Sequence, residues 1–224
     1  MLPVGVRREG GAERPRAVSE YLVERLAIAG ARKIAFVISP GKYDILRYFG
    51  ARLGETDFFY VVQPRPEGLC DALFRAAPLI GADEPVAIGL PDTIWFPHDG
   101  LGRLPADRLA LLLFPVARPQ DFDAVVTDPS GAVERIEVKA ARPATRWIWG
   151  ALRMPGPVFH ALHRLWLARG RKDEYLGTLV NAYLAAGGEA AGVRAGAAYV
   201  DVGTLGGYRQ ALALLAEEPQ PTQA

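Results

Sequence analysis

Two apolar periods alternate along the first half of the chain. KIAFVIS (33–39), DFFYVVQ (57–63) and PVAIGLP (85–91) are short, nearly continuous apolar runs, the pattern of strands covered on both faces. Around them AVSEYLVERLAIAG (17–30) carries Val18, Leu22, Leu26 and Ala29 at helical spacing and stops at Gly30. PGKYDILRYFG (40–50) and GLCDALFRAAPLI (68–80) read as further helices. This order predicts an α/β fold with a mostly parallel, Rossmann-like central sheet and helices on both faces.

The rhythm then changes. RLALLLFPV (108–116) is a strand, and AVVTD (124–128) and VERIEVK (133–139) are joined through Pro129, Ser130 and Gly131, which signals a hairpin and a small antiparallel excursion. TRWIWGALRM (145–154), AAGVRA (190–195) and AYVDVGT (198–204) read as strands. GPVFHALHRLWLAR, EYLGTLVNAYLAAGG and LGGYRQALALLAEE read as helices, and RREGGAERPR (7–16) as a loop. With no internal repeat and no long linker, residues 1–218 are expected to form one domain and residues 219–224 a disordered tail.

Charge and composition narrow the function. Lys and Arg number 26 against 25 Asp and Glu, so there is no basic footprint to select a phosphate backbone, and nucleic acid is not an expected partner. Cys70 is the single cysteine, and no paired Cys/His spacing suits zinc. No apolar run approaches the roughly 20 residues of a membrane helix, nor does the N-terminus carry a signal-peptide core, so a reducing cytoplasm is expected. Arg- and Ala-rich helix surfaces are compatible with self-association into a homo-oligomer.

Ligands of open α/β sheets bind at the carboxyl ends of strands, and GLPDT and YVDVGT each place an aspartate there. Asp92 and Asp201 together could hold Mg²⁺, which keeps several waters and is completed by substrate phosphates; singly, each would serve as a cap or turn residue. VVQPRPEGLCDAL offers a loop stiffened by prolines, with Gly68 permitting close approach and Gln63 able to read a planar base; a stiff connector explains the same spacing. Lys139 could reach a phosphate or be a solvated edge residue. His160 and His163 fit surface or packing roles, His98 a loop, and Trp147 and Trp149 a core face. Neither a P-loop nor a G-x-G-x-x-G after a strand is present.

Taken in order, these segments resemble the sugar-phosphate nucleotidyltransferase family. LPVG with the following helix resembles its PK-x-LLPV segment, VVQPRPEGLCDAL its Q-P-x-P-x-G-L-A-x-A loop, and VAIGLPDT its strand ending in G-D-N or G-D-D. RIEVKAARP resembles its E-K-P segment, and YVDVGTLGGYRQAL its W-x-D-x-G-T segment. The resemblance implies transfer of a nucleotidyl group from a nucleoside triphosphate to a sugar 1-phosphate, with release of pyrophosphate. It places Asp92 and Asp201 on the metal aspartates, Lys139 on the sugar-phosphate lysine, and Gln63 and Gly68 at the base.

Val138, Ala140 and Pro91 stand where the family has glutamate, proline and glycine. In the family a first strand, a G-x-G-T/S-R loop and a P-K lysine precede the LPV segment. Met1 is therefore expected to be an internal methionine, and without those parts a central sheet position should be empty, with apolar faces and strand edges exposed. Two further readings stay open: a non-catalytic nucleotide or sugar-phosphate binding module, and a glycosyltransferase that uses a nucleotide-sugar.

Overall fold

A computed structural model describes residues 2–9 and 11–216, so the expected tail at 219–224 lies outside the described residues. The chain opens with β1 (Pro3–Glu9), β2 (Ala12–Ala17), α1 (Val18–Ile28), β3 (Lys33–Ile38), α2 (Tyr43–Phe49), β4 (Arg52–Leu53), β5 (Thr56–Val62) and α3 (Gly68–Arg75). It continues through β6 (Val86–Gly89), β7 (Thr93–Phe96), β8 (Leu109–Pro115), β9 (Ala124–Thr127), β10 (Val133–Glu137) and β11 (Trp147–Met154). α4 (Gly156–Ala168), α5 (Leu176–Ala185), β12 (Ala190–Val193), β13 (Ala198–Asp201) and α6 (Leu205–Ala216) complete it.

The fold is α/β around a mixed six-stranded sheet. Its ladder runs β10-β9-β11-β8-β12, with β6 paired to the end of β11. β11 is antiparallel to β6, β8 and β9, and β12 is parallel to β8, so β6, β8, β9 and β12 share one direction. β9 and β10 form the expected hairpin, whose turn is held by Asp128: its Oδ1 accepts from Ser130 N at 2.8 Å and Ala132 N at 2.9 Å. β3 and β5 are parallel in a separate three-stranded sheet with β4.

Alternation along β8 divides the core. Leu109, Leu111 and Leu113 pack on one face with Phe74 of α3, Phe159 and Trp166 of α4, and Leu179 and Val180 of α5. Ala110, Leu112 and Phe114 pack on the other with Leu22, Val23 and Leu26 of α1. Both faces are dry, which is why this strand reads as unbroken apolar sequence. In β11 the register slips between Trp149 and Ala151. Gly150 stands at that bulge, where a Cβ would lie 2.4 Å from the Tyr199 ring.

One sequence expectation is overturned. RREGGAERPR is not a loop: β1 and β2 pair antiparallel through it. Val4 is buried with Tyr21, Val202 and Ala211, the Tyr21 hydroxyl donates to Val4 O at 3.0 Å, and Val18 N donates to Leu2 O at 3.0 Å. Contacts from α1 and α6 thus impose extended backbone on a charged, glycine-containing stretch whose local preference is weak.

Candidate active site

Asp92 follows β6 and Asp201 ends β13, and the two meet because β7 and β13 pair antiparallel, with Thr93 opposite Asp201. Val202 N donates to Asp92 O at 2.8 Å, and Gly203 N donates to Asp201 Oδ1 at 2.7 Å. The carboxylates flank Gly203: a Cβ there would lie 3.0 Å from Asp201 Oδ1 and 3.9 Å from Asp92 Oδ2. A glycine keeps the space between them open.

Asp92 is reached by solvent along part of its surface, yet its surroundings desolvate the carboxyl. Desolvation raises its pKa, its own backbone N–H partly offsets this, and the charge of Asp201 raises it further. Tyr199, buried two residues before Asp201, has its phenol pushed well up, first by burial and then by Asp92, Asp201 and Asp123, while a hydrogen bond with Thr93 pulls the other way. Asp92, Asp201 and Asp123 thus concentrate negative charge around Tyr199.

Among the described residues no group of three or more His, Cys, Asp or Glu side chains is arranged to hold a metal. Two hard carboxylate oxygens suit Mg²⁺, which keeps its waters and takes phosphate oxygens as remaining ligands.

Lys139 sits in the turn after β10, exposed, with φ of +47°. Its N–H donates to Asp123 Oδ1 at 3.2 Å and its Nζ to Asp121 O at 3.2 Å. A lysine in left-handed backbone costs strain, which the Asp123 bond helps hold. The charge of Asp123 also contributes to raising the Tyr199 phenol.

Gln63 follows β5, and its backbone N–H donates to Ile38 O at 2.9 Å, the carboxyl end of β3. Its side-chain Nε2 donates to Gly68 O at 3.1 Å and to Asp71 Oδ2 at 2.9 Å. Two acceptors around one nitrogen fix the amide orientation and leave Oε1 as the group that Gln63 can present to a ligand. Gly68 opens α3 at φ of +91°, and a Cβ there would lie 2.8 Å from Glu174 O. Its glycine character is explained by that backbone contact.

Other candidates take structural positions. Trp149 is core, while Trp147 carries Arg194 over its ring at 5.2 Å. His163 stacks on Phe74 at 4.8 Å and His160 faces Gly81 O at 3.4 Å. His98 lies edge-on to Phe96. Cys70 is fully buried, its thiol pushed up to about 12 by burial and then by the charge of Asp173. Sequence reading missed Thr93, Asp123, Tyr199 and Gly203; only the D-x-G spacing after Asp201 could have pointed to the last.

Asp92 and Asp201 thus meet at strand ends of an α/β fold, the place where open sheets of this class bind ligands. The Nucleotidyl transferase family model matches residues 13–218, and the chain belongs to that family. It is 32% identical over 199 residues to a glucose-1-phosphate thymidylyltransferase of Mycobacterium tuberculosis, covering 83% of this chain and 66% of the relative. The enzyme of the same name from Mycolicibacterium smegmatis is 29% identical over 217 residues, covering 91% and 73%. The UDP-glucose pyrophosphorylase of Acinetobacter baumannii shares the fold, with a TM-score of 0.72 at 19% identity, over 89% of this chain and 81% of that one. Against the first curated relative, this chain thus spans just under two-thirds of the length.

Proposed function

We propose that this chain serves nucleotidyl transfer from a nucleoside triphosphate to a sugar 1-phosphate, giving a nucleotide-sugar and pyrophosphate. A phosphate oxygen of the sugar 1-phosphate attacks the α-phosphorus in line, that phosphorus keeps its nucleoside, and the bond to the β-phosphate oxygen breaks. The observation that carries this reading is the convergence of Asp92 and Asp201 on either side of Gly203.

In this reading Asp92 and Asp201 hold Mg²⁺. The bound ion would neutralise phosphate charge, the main requirement of phosphoryl-type transfer. The elevated pKa of Asp92 supports the assignment, because a dication offsets the repulsion between the two carboxylates. Lys139 positions the sugar phosphate as a point charge, its backbone anchored on Asp123. Gln63, fixed by Gly68 and Asp71, presents Oε1 to an N–H on the base edge, as a uracil or thymine imide would offer. Gly68 shapes that loop. The substrates named by the relatives fit this acceptor, and phosphorylated substrates with a reduced Cys70 suit a cytoplasmic setting.

The test is pyrophosphate release by the full chain with thymidine or uridine triphosphate and glucose 1-phosphate, with Mg²⁺ and with EDTA. Release that needs both substrates and stops with EDTA supports the reading. Triphosphate binding measured calorimetrically without any release would make the chain a binding module.

A further inference from the structure

A glutamine amide can turn over and exchange its donor and acceptor ends, so the partners on one end decide what the other end presents. Gln63 is half-buried and meets α3 at two points, Gly68 O at 3.1 Å and Asp71 Oδ2 at 2.9 Å, both bonded by Nε2. Asp71 in turn accepts from Arg75 Nε on Oδ2 at 2.7 Å and from Arg75 Nη2 on Oδ1 at 3.1 Å.

Arg75 lies one helical turn beyond Asp71, and an ordinary pair of that spacing stays in solvent and has no third member. This pair differs. Asp71 is only 5% exposed, and its Oδ2 is shared between Arg75 and a glutamine from the loop after β5. Burial raises the Asp71 carboxyl, but Arg75 and Gln63 outweigh it and hold its pKa below the ordinary value, so the group is ionised and offers acceptors alone. A guanidinium offers donors alone. Arg75, Asp71 and Gln63 Nε2 therefore run donor, acceptor, donor, which turns Oε1, an acceptor, away from α3 as the end left for a ligand.

We propose that Asp71, clamped by Arg75, is a positioning residue that makes the loop after β5 select bases carrying a ring N–H beside a carbonyl and reject those with a bare ring nitrogen. This deepens the nucleotide reading above and rests on it. Uracil offers that N–H, whereas cytosine, of the same size, sets a lone pair against Oε1. Two acceptors left facing each other without a proton are a mismatch that a polar site rejects strongly.

The test is calorimetric titration of the full chain with uridine triphosphate and with cytidine triphosphate, each with Mg²⁺. The unmodified chain should bind the uridine nucleotide about 30-fold more tightly. Asp71→Leu, of similar bulk but with no acceptor, frees the amide to turn over. It should weaken the uridine nucleotide, tighten the cytidine one and cut the ratio to about fivefold or less. Asp71→Asn, which keeps an oxygen opposite Gln63 Nε2, should retain the larger part of the preference.

Weakening of both nucleotides by the same factor in Asp71→Leu would mean that Asp71 only holds α3 together, and would overturn the proposal. So would equal ratios in the Leu and Asn variants, or no preference in the unmodified chain. Because binding is read and not pyrophosphate release, loss of base preference and loss of transfer are separate outcomes; binding of neither nucleotide would overturn the nucleotide reading and this proposal with it. If circular dichroism shows that the Asp71→Leu chain does not fold, Arg75→Met decides: a lowered ratio supports the clamp, and an unchanged one overturns it.

Discussion

β8 and β3 are both short apolar strands, yet they live in different surroundings. Leu109 to Phe114 of β8 are completely buried, bonded on both edges by β11 and β12 and covered on both faces by helices. In β3 only Ile34 and Ile38 are buried, one edge is bonded by β5, and the other faces a cavity of about 540 Å³. The sequence pattern is nearly the same; the neighbours differ. Apolar periodicity therefore reports what a strand is suited to touch and not how far its neighbours bury it.

The sharpest way to test this contrast is truncation on each side. Leu111→Ala should lose about 2–5 kcal/mol in urea unfolding, the range for a leucine in a close-packed core. Val37→Ala, on the cavity side, should lose less than about 1 kcal/mol, as for a partly exposed site. Equal losses would mean that the cavity side is packed as tightly as the core.

Backbone approach gives the next largest effect. Gly68→Ala should cost about 1–3 kcal/mol, because its Cβ would meet Glu174 and its φ is +91°. Lys139→Gly should move stability the opposite way, by up to about 1 kcal/mol, by releasing left-handed strain. It should also raise KM for the sugar 1-phosphate, and a gain in stability with unchanged KM would make Lys139 a turn residue only.

The acidic groups predict opposite responses to pH. Asp173 is lowered first by its hydrogen bonds from Arg169, with desolvation opposing them. Asp71 is raised by desolvation but lowered overall by Arg75 and Gln63. Both contribute stability above the ordinary carboxylate value of 3.8 that is lost as pH falls below it towards their folded values. Asp92 is raised, so its contribution is present below 3.8 and is lost as pH rises through its folded value. Asp92→Asn should therefore raise the melting temperature slightly at neutral pH, the gain kept small by solvent access and disappearing in acid. A lower melting temperature would show that the charge itself is structural.

Much of the sheet and its helices was legible, because buried strands and amphipathic helices carry their periods locally. The β1–β2 hairpin was not, since its charged residues take their conformation from Val4 packing beside Tyr21 and Ala211. β7 was hidden for a related reason: TIWF follows Asp92 like the start of a loop, and only pairing with β13, more than 100 residues later, makes it a strand. That pairing also joins Asp92 to Asp201. The two aspartates could be picked out by position and resemblance, whereas the contributions of Tyr199 and Asp123 arise from tertiary proximity and leave no spacing to read.

The most direct test of a shared cation site is a double-mutant cycle on Mg²⁺-dependent pyrophosphate release, using Asp92→Asn, Asp201→Asn and the pair. If both carboxylates hold one ion, each single change should slow release about 100-fold or more, and the double change should be little worse than the poorer single. Independent, multiplying losses, or normal release after either change, would contradict the assignment.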